Sequence, residues 1–340
     1  MIHKLVALLL LTSLTSCPSP RPTPAPPPRD RPQPPTALEV VAESKAQWTG
    51  VTVSRTGRLF VNYPRWSAKV PVSVAELGPG GKVTPYPNAT WQTWAPGKDP
   101  ATHFVCVQSV VVDAKDRLWI LDPANPGFRG VVAGGAKLLQ VDLATNKVVR
   151  TIRFDDRVAP PKSYLNDLRV DVKTETAYLS ESGVGALIVV DLKTGQARRL
   201  LGDHPSTKSE NVVLTIGGKP WKRPDGAAPQ VHADGIALHP SGQWIYWQAL
   251  TGKTMYRVET RHLRNTALSA ADLGAKVERV ATVGASDGII FDPKGNLYLS
   301  SLEHDAVRRL TPAGRLETVV KDPRIAWPDT FTISADGWLY

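Results

Sequence analysis

The β-hairpin pattern is clearest in Ile289-Ile290-Phe291-Asp292-Pro293-Lys294-Gly295-Asn296-Leu297-Tyr298-Leu299. Apolar residues stand on both sides of a short polar run that contains Pro293 and Gly295. A proline holds its φ at about −65° and a glycine accepts a positive φ, so this run closes a tight turn between two strands. The segment therefore predicts two paired strands.

The same pattern occurs six times between residues 37 and 340. The turns open at Ser54, Asp113, Asp171, His239, Asp292 and Ser334, at intervals of 42 to 68 residues. Short strands with glycine turns at intervals of roughly 40–50 residues are typical of β-propeller blades. The sequence therefore predicts an all-β, six-bladed β-propeller.

The sixth copy of the pattern is short, because the sequence stops at Tyr340, within the second strand of that copy. We therefore expect an incomplete last blade. An open sheet edge exposes unpaired backbone groups. For this reason residues 38–48 are predicted to add an outer strand there.

The composition excludes several classes of protein. The 340 residues carry 41 Lys and Arg against 31 Asp and Glu, a net charge of +10, and 42% of them are hydrophobic. This balance excludes wholesale disorder. Two cysteines exclude a disulfide-rich scaffold and a cysteine-rich metal site. The positive charge is spread along the chain, so no nucleic-acid partner is predicted.

The N-terminus predicts export. A short apolar run follows Lys4, and Leu14-Thr15-Ser16-Cys17 resembles a lipobox, in which Cys17 carries the lipid. Acyl chains on that cysteine hold a protein to a membrane, and because Pro18 rather than Asp follows it, we expect the outer membrane. The alternative is a plain secretory signal and a secreted protein. The predicted segments are a lipoprotein signal peptide (1–16), the lipidated cysteine with a proline-rich linker (17–36) and the propeller (37–340).

Acidic residues recur immediately before the predicted inner strands. Inner strands line one central channel, so the residues that precede them meet at one mouth. Carboxylates there can bind a hard cation, hold an organic cation or transfer protons. The alternative is that each Asp caps a turn by accepting backbone N–H groups. The candidates are Asp234 and Asp287 for catalysis, and Gln108, Asn166, Asp167, His232, Trp327 and Asp329 for ligand binding.

Several blocks of the sequence resemble the major royal jelly and yellow protein family, in its bacterial branch. They are Asn62-Tyr63-Pro64-Arg65-Trp66, the run from Tyr164 to Asp171, the run from Tyr246 to Gly252, and Trp327-Pro328-Asp329-Thr330. The resemblance implies an exported six-bladed propeller with a small-molecule site at its channel. Insect members include amine-binding salivary proteins and proteins linked to dopachrome conversion.

The sequence is also similar to the gluconolactonase-like propellers. Their metal site takes a Glu from the first blade, an Asn from the third and an Asp from the fourth. Asn166 and Asp234 match the last two, whereas the first blade reads Gln47-Trp48-Thr49-Gly50-Val51, without a Glu. This resemblance implies a divalent cation such as Ca²⁺ at Asn166 and Asp234, with an incomplete set of ligands.

Three functions remain open from the sequence. The first is a monomeric binding protein that holds a small aromatic or amine-type molecule at the channel. The second is a lactonase-like hydrolase or a dopachrome-type tautomerase, with Asp234 or Asp287 as the general base. The third is a scaffold that uses its loops for protein contacts.

Overall fold

The computed structural model describes residues 38–67 and 69–340. The predicted signal peptide (1–16) and the linker that contains Cys17 (17–36) lie outside these residues. In the part of the chain that is described, no helix has the length and apolar character needed to cross a membrane.

Five four-stranded antiparallel sheets form the blades, which confirms the predicted all-β propeller. The first sheet holds β1 (Gly50–Val53), β2 (Leu59–Asn62), β3 (Val74–Gly78) and β4 (Lys82–Pro85). The second holds β5 (Ser109–Val112), β6 (Arg117–Asp122), β7 (Lys137–Asp142) and β8 (Lys147–Arg153). The third holds β9 (Leu165–Asp171), β10 (Thr176–Glu181), β11 (Ala186–Asp191) and β12 (Ala197–Leu200).

A small hairpin separates the third sheet from the last two. It pairs β13 (Thr215–Ile216) with β14 (Lys219–Pro220). The fourth sheet holds β15 (Ala233–Leu238), β16 (Trp244–Ala249), β17 (Thr254–Glu259) and β18 (Glu278–Thr282), and its last two strands are joined by α1 (Thr260–Arg264) and α2 (Ala270–Gly274). The fifth holds β19 (Ile289–Phe291), β20 (Leu297–Ser301), β21 (Ala306–Leu310) and β22 (Leu316–Lys321).

The predicted number of six blades is wrong, because the described residues contain five four-stranded sheets. The sixth copy forms an isolated bridge between Ile333 and Leu339, and its two segments supply too few strands for a blade. Residues 38–48, predicted as an outer strand, contain no strand. The sixth copy still follows the fifth sheet around the channel, since a Cβ on Gly288 would overlap the backbone of Asp329.

The turn in the 289–299 hairpin has the predicted chemistry. The Asp292 carboxylate accepts the backbone N–H groups of Lys294 and Asn296, each at 2.9 Å. Gly295 has a φ of 81°, a conformation that a residue without a Cβ adopts at little cost. The aspartate accepts the free N–H groups of the turn, and the glycine adopts its positive φ. The turn is therefore well defined, and the two strands pair in a fixed register.

The hydrophobic core lies between neighbouring blades. Trp119 and Leu121 of the second sheet pack with Leu168 of the third, and each of them is at most 1% exposed. Burying an apolar side chain of this kind contributes about 1.5–3 kcal/mol. Because each sheet is packed against its neighbours, the inner strands β1, β5, β9, β15 and β19 lie side by side around the channel.

A buried ion pair fixes the loop that leads into β5. Lys137 Nζ lies 2.8 Å from Asp122 Oδ2, and both side chains are fully buried. The Asp122 carboxylate also accepts the backbone N–H groups of Val105 and Cys106 at 2.8 and 2.9 Å. The pair therefore holds the backbone just before Gln108, one of the predicted ligand-binding residues.

Candidate functional site

A cavity of about 720 Å³ opens at one mouth of the channel. Its walls come from residues 44–48, from the starts of the inner strands and the loops before them, and from the segments that follow the second strands of the blades. The inner strands thus bring together side chains that lie far apart in the sequence. Six of the predicted site residues line this cavity: Gln108, Asn166, Asp234, Asp287, Trp327 and Asp329.

A chain of hydrogen bonds runs along one side of the cavity towards the carboxyl groups. The Trp66 indole N–H donates to the Tyr164 hydroxyl at 2.5 Å, and this hydroxyl donates to Gln108 Oε1 at 2.8 Å. Gln108 Nε2 donates to Asn166 Oδ1 at 3.3 Å, and Asn166 Nδ2 donates to Asp234 Oδ2 at 2.7 Å. Every donor points the same way, so the chain ends on an acceptor oxygen of Asp234.

Three buried carboxyl groups line the cavity wall at the end of this chain, those of Asp234, Asp287 and Asp329. Burial raises the pKa of Asp234 well above its usual range, and the nearby Asp287 and Asp329 raise it further. Burial also raises the pKa of Asp287 to about 6, although the Trp327 indole N–H, which donates to Asp287 Oδ2 at 2.8 Å, opposes the rise. The pKa of Asp329 is raised by burial first and then by Asp287.

Asp234 and Asp287 are both buried on the wall of the cavity, and the charge of Asp287 raises the pKa of Asp234. Two neighbouring carboxyl groups do not both ionise easily. Their hydrogen-bond donors differ, because Asp234 accepts the Asn166 amide N–H and Asp287 accepts the Trp327 indole N–H. The pair is therefore suited to hold or transfer a proton.

Asp167 and Arg169 add a fourth carboxyl group and a positive charge to the channel. Asp167 Oδ1 accepts the Ser109 hydroxyl at 2.8 Å, and its carboxylate lies 3.7 Å from the Arg169 guanidinium. Arg169 reaches across to β19 and donates to the Ile289 carbonyl at 2.8 Å. Burial raises the pKa of Asp167 and lowers the pKa of Arg169, and each charge opposes the shift of the other.

Aromatic side chains form two groups in the cavity wall. In the first, Phe128 packs on Tyr164 and on Trp66, with ring centroids 4.9 and 5.4 Å apart. In the second, Trp221 meets Trp327 edge to face at 5.0 Å. Aromatic faces attract planar rings and organic cations, and these walls stand beside the carboxyl groups.

The remaining predicted residues lie elsewhere. His232 is absent from the described lining of the cavity, and its Nδ1 accepts the backbone N–H of Ser209 at 3.0 Å. Asp167 also stands behind the lining, next to Ser109. Cys17, the predicted lipidation site, lies outside the described residues. The roles assigned to all these residues stay predictions.

Three contributors were not assigned from the sequence. Tyr164 and Arg169 could have been assigned to the site from their spacing, because residues two apart on a strand face the same side. Tyr164 stands two residues before Asn166, and Arg169 stands two residues after Asp167. Phe128 carries no such signal, since it lies in an irregular loop after β6.

The two predicted cation ligands contact each other. Asn166 and Asp234 lie together, but Asn166 turns its amide N–H group to Asp234, which is a hydrogen bond rather than a pair of oxygen ligands. Within the described residues, no group of three or more His, Cys, Asp or Glu side chains is placed to hold a metal ion. The cation at Asn166 and Asp234 stays a prediction.

Proteins of similar sequence come from the honeybee, Apis mellifera. Major royal jelly protein 5 is 24% identical over 264 residues, which cover 72% of this chain and 41% of the bee protein. Major royal jelly protein 1 is 25% identical over 231 residues, which cover 64% of this chain and 51% of the bee protein. The matches thus span about half of these relatives or less.

A solved gluconolactonase from Xanthomonas campestris has a similar fold. It superposes with a TM-score of 0.52 over 86% of this chain and 81% of that chain, at 16% identity. Identity this low shows the fold alone. The sequence model of the major royal jelly protein family, in contrast, matches residues 105–338, which is more than half of the chain. The predicted family is therefore confirmed, and the chain belongs to the major royal jelly protein family.

Proposed function

We propose that this propeller binds a small organic cation with an aromatic ring, such as an aromatic amine, in the channel cavity. The observation that carries the proposal is the charge of the site. Three carboxyl groups, those of Asp234, Asp287 and Asp329, line the cavity. The buried carboxyl group of Asp167 stands behind the lining, 3.7 Å from the buried guanidinium of Arg169. Carboxyl groups crowded in this way resist ionisation.

An ammonium group in the cavity relieves that repulsion. It supplies the positive charge that lets a second carboxyl group ionise, and a charge-assisted hydrogen bond to Asp287 strengthens the contact. The rings of Phe128 and Trp327 offer apolar area beside it. Ligand sites of this kind combine mostly apolar walls with a few polar groups that fix orientation.

Calorimetry with phenethylamine and phenylacetate tests the proposal, because both carry a phenyl ring but one is a cation and the other an anion. The amine is expected to bind and the acid to bind at least tenfold more weakly, a difference of about 1.4 kcal/mol or more. Amine affinity is expected to rise between pH 5 and 7.5, because the pKa of Asp287 is about 6. Equal binding of both probes, or of neither, contradicts the proposal.

Two variants make this test specific. Asp287→Asn keeps a group of the same shape but removes the charge, so it is expected to lower amine affinity and to flatten its pH dependence. Asp156→Asn removes a carboxylate from an exposed position in the loop after β8 and serves as the matched control. A similar loss in both variants would assign the effect to net charge rather than to the cavity.

The second candidate is acid–base catalysis by the Asp234 and Asp287 pair. One specific observation favours it: Asp234 and Asp287 line the same cavity with different hydrogen-bond donors, Asn166 and Trp327, and burial raises the pKa of both. Such a pair can take a proton from one atom of a substrate and return it to another, as a tautomerase does. A lactonase needs the same base to activate water.

Turnover assays separate the two candidates. Dopachrome and δ-gluconolactone are the probes, each measured with wild type, with Asp234→Asn and after dialysis against EDTA. Turnover that falls at least a hundredfold in Asp234→Asn supports catalysis. Activity lost on chelation and restored by Ca²⁺ would support the cation predicted at Asn166 and Asp234. No turnover of either probe leaves binding as the function.

We also propose that the protein is exported and held at the cell envelope by a lipid on Cys17. The lipobox pattern of residues 14–17 supports this. Growth with an alkyne-tagged fatty acid is expected to label the wild type and not Cys17→Ser. Absence of label on the wild-type protein would refute the anchor.

A further inference from the structure

Two aromatic residues of the cavity wall have an unusual backbone conformation. Nine non-glycine residues in the described part of the chain have a positive φ, and among them only Phe128 and Trp327 are aromatic. Their φ values are 58° and 55°. Bulky residues rarely adopt this region, which favours glycine. Both residues line the same cavity.

The surroundings hold Phe128 in this conformation. The side chain of Asn125 donates to the Ser163 carbonyl and accepts the Gly130 N–H, both at 2.8 Å. The backbone N–H of Gly127 donates to the Arg65 carbonyl at 2.9 Å. These hydrogen bonds fix the loop on both sides of Phe128. They therefore hold the backbone of Phe128 at its positive φ.

Folding does not account for Phe128. The residue is 60% exposed, so the contacts of its ring with Trp66 and Tyr164 leave much of its apolar area in water. A strained backbone and an exposed apolar ring both oppose stability. Strain of this type persists where a function requires it and the neighbouring structure enforces it.

Trp327 is constrained in a second way, because Pro328 follows it. The residue before a proline is pushed towards extended conformations, yet Trp327 is left-handed. Its indole N–H donates to Asp287 Oδ2 at 2.8 Å, and its ring packs edge to face on Trp221. These two contacts keep the ring beside the charged group of the site.

We propose that Phe128 and Trp327 determine specificity for a flat aromatic ring, while the carboxyl groups select the cation. This rests on the proposed amine-binding function and adds a separate requirement to it. Both residues line the cavity, and the strained backbone fixes where each ring stands. The ligand covers that apolar area, which the free protein leaves open.

The test compares phenethylamine with 2-cyclohexylethylamine by calorimetry, since the two share an ammonium arm and differ in ring flatness. Wild type is expected to prefer the aromatic amine by about fivefold or more. Phe128→Ala and Phe128→Gly are expected to bring that ratio close to one while leaving affinity for the cyclohexyl compound within about twofold. A preference that survives both substitutions overturns the proposal.

A variant of Trp327 separates the ring from the indole N–H. Trp327→Phe keeps an aromatic face but loses the donor to Asp287. This variant is expected to bind both amines more weakly and to keep the wild-type ratio of their two affinities. Trp327→Leu is expected to bind both amines more weakly and to lower the ratio of the phenethylamine affinity to the cyclohexyl amine affinity. Equal ratios in these two variants would remove Trp327 from the proposal.

Thermal melting gives a readout that needs no ligand. Phe128→Gly accepts the positive φ, so its Tm is expected to equal or exceed that of wild type and to exceed that of Phe128→Ala. Asp305→Gly, at a φ of 50° outside the cavity, is the matched control: it is expected to hold its Tm and leave the amine ratio unchanged. A fall of about 4 °C or more in Phe128→Gly would show a structural role and overturn the proposal.

The outcomes also separate this inference from the proposed function. If wild type binds both amines equally well, amine binding stands and the aromatic specificity fails. If wild type binds neither amine, the proposed function fails and this inference fails with it.

Discussion

Asp287→Asn tests the electrostatics of the cavity through protein stability. The folded protein holds the proton of Asp287 more tightly than the unfolded chain does, because the pKa rises from 3.8 to about 6. Between these values the native state binds more protons than the unfolded state. The free energy of unfolding therefore falls as the pH rises from about 4 through 6.

The magnitude follows from the shift. A rise of roughly two pKa units at about 1.36 kcal/mol each amounts to about 3 kcal/mol over the whole titration. About 2 kcal/mol of this is lost between pH 4 and pH 7, because the unfolded-state carboxyl is already partly ionised at pH 4. Asn at position 287 carries no proton to lose. Its amide oxygen can still accept the Trp327 N–H, so the packing and that hydrogen bond are retained.

Urea denaturation at pH 4, 5, 6 and 7, followed by tryptophan fluorescence, measures the effect. Other carboxyl groups titrate over this range in both proteins, so the informative quantity is the difference between wild type and Asp287→Asn. Between pH 4 and pH 7 the wild type is expected to lose about 2 kcal/mol of unfolding free energy relative to the variant. Parallel stability curves, as expected for the exposed control Asp156→Asn, would refute the account of the cavity given above.

Three further substitutions or treatments test the fold around the site. Lys137→Met leaves the carboxylate of Asp122 buried without its partner, and is expected to lower the free energy of unfolding by about 3–5 kcal/mol in urea titrations. Gly288→Ala places a methyl group on the backbone of the sixth copy and is expected to lower Tm, whereas Gly202→Ala, whose methyl group meets nothing closer than 3.8 Å, is not. Burial raises the pKa of Cys106 to about 12, so a thiol reagent at pH 8 is expected to label it after unfolding in urea and not in the native protein.

The repeat made the arrangement of the sheets predictable from the sequence. Each copy carries its own turn, as Asp292 and Gly295 show, so local chemistry identifies each hairpin without knowledge of the whole. The number of complete sheets was not predictable in this way. A blade requires four paired strands, and residues 331–340 carry a turn and the bridge between Ile333 and Leu339 but no further strand.

The positions of the channel carboxyl groups were also predictable, since equivalent residues of a repeat converge on one mouth. His232 shows where this reasoning stops. Strand alternation places it on the same face as Asp234, but β15 begins only at Ala233 and its register shifts between Ala233 and Ile236. The left-handed backbone of Phe128 depends on hydrogen bonds from distant loops, and no local pattern encodes it.

The hydrogen bonds of the carboxyl groups separate the two interpretations that the sequence left open. An aspartate that caps a turn accepts backbone N–H groups, as Asp292 does. Within the described residues, the channel aspartates accept hydrogen bonds from side chains instead: Asp234 from Asn166 and Asp287 from Trp327. Turn formation therefore does not require these carboxyl groups, and burying them opposes folding. The proposed binding of a positively charged ligand would account for carboxyl groups that the fold itself does not need.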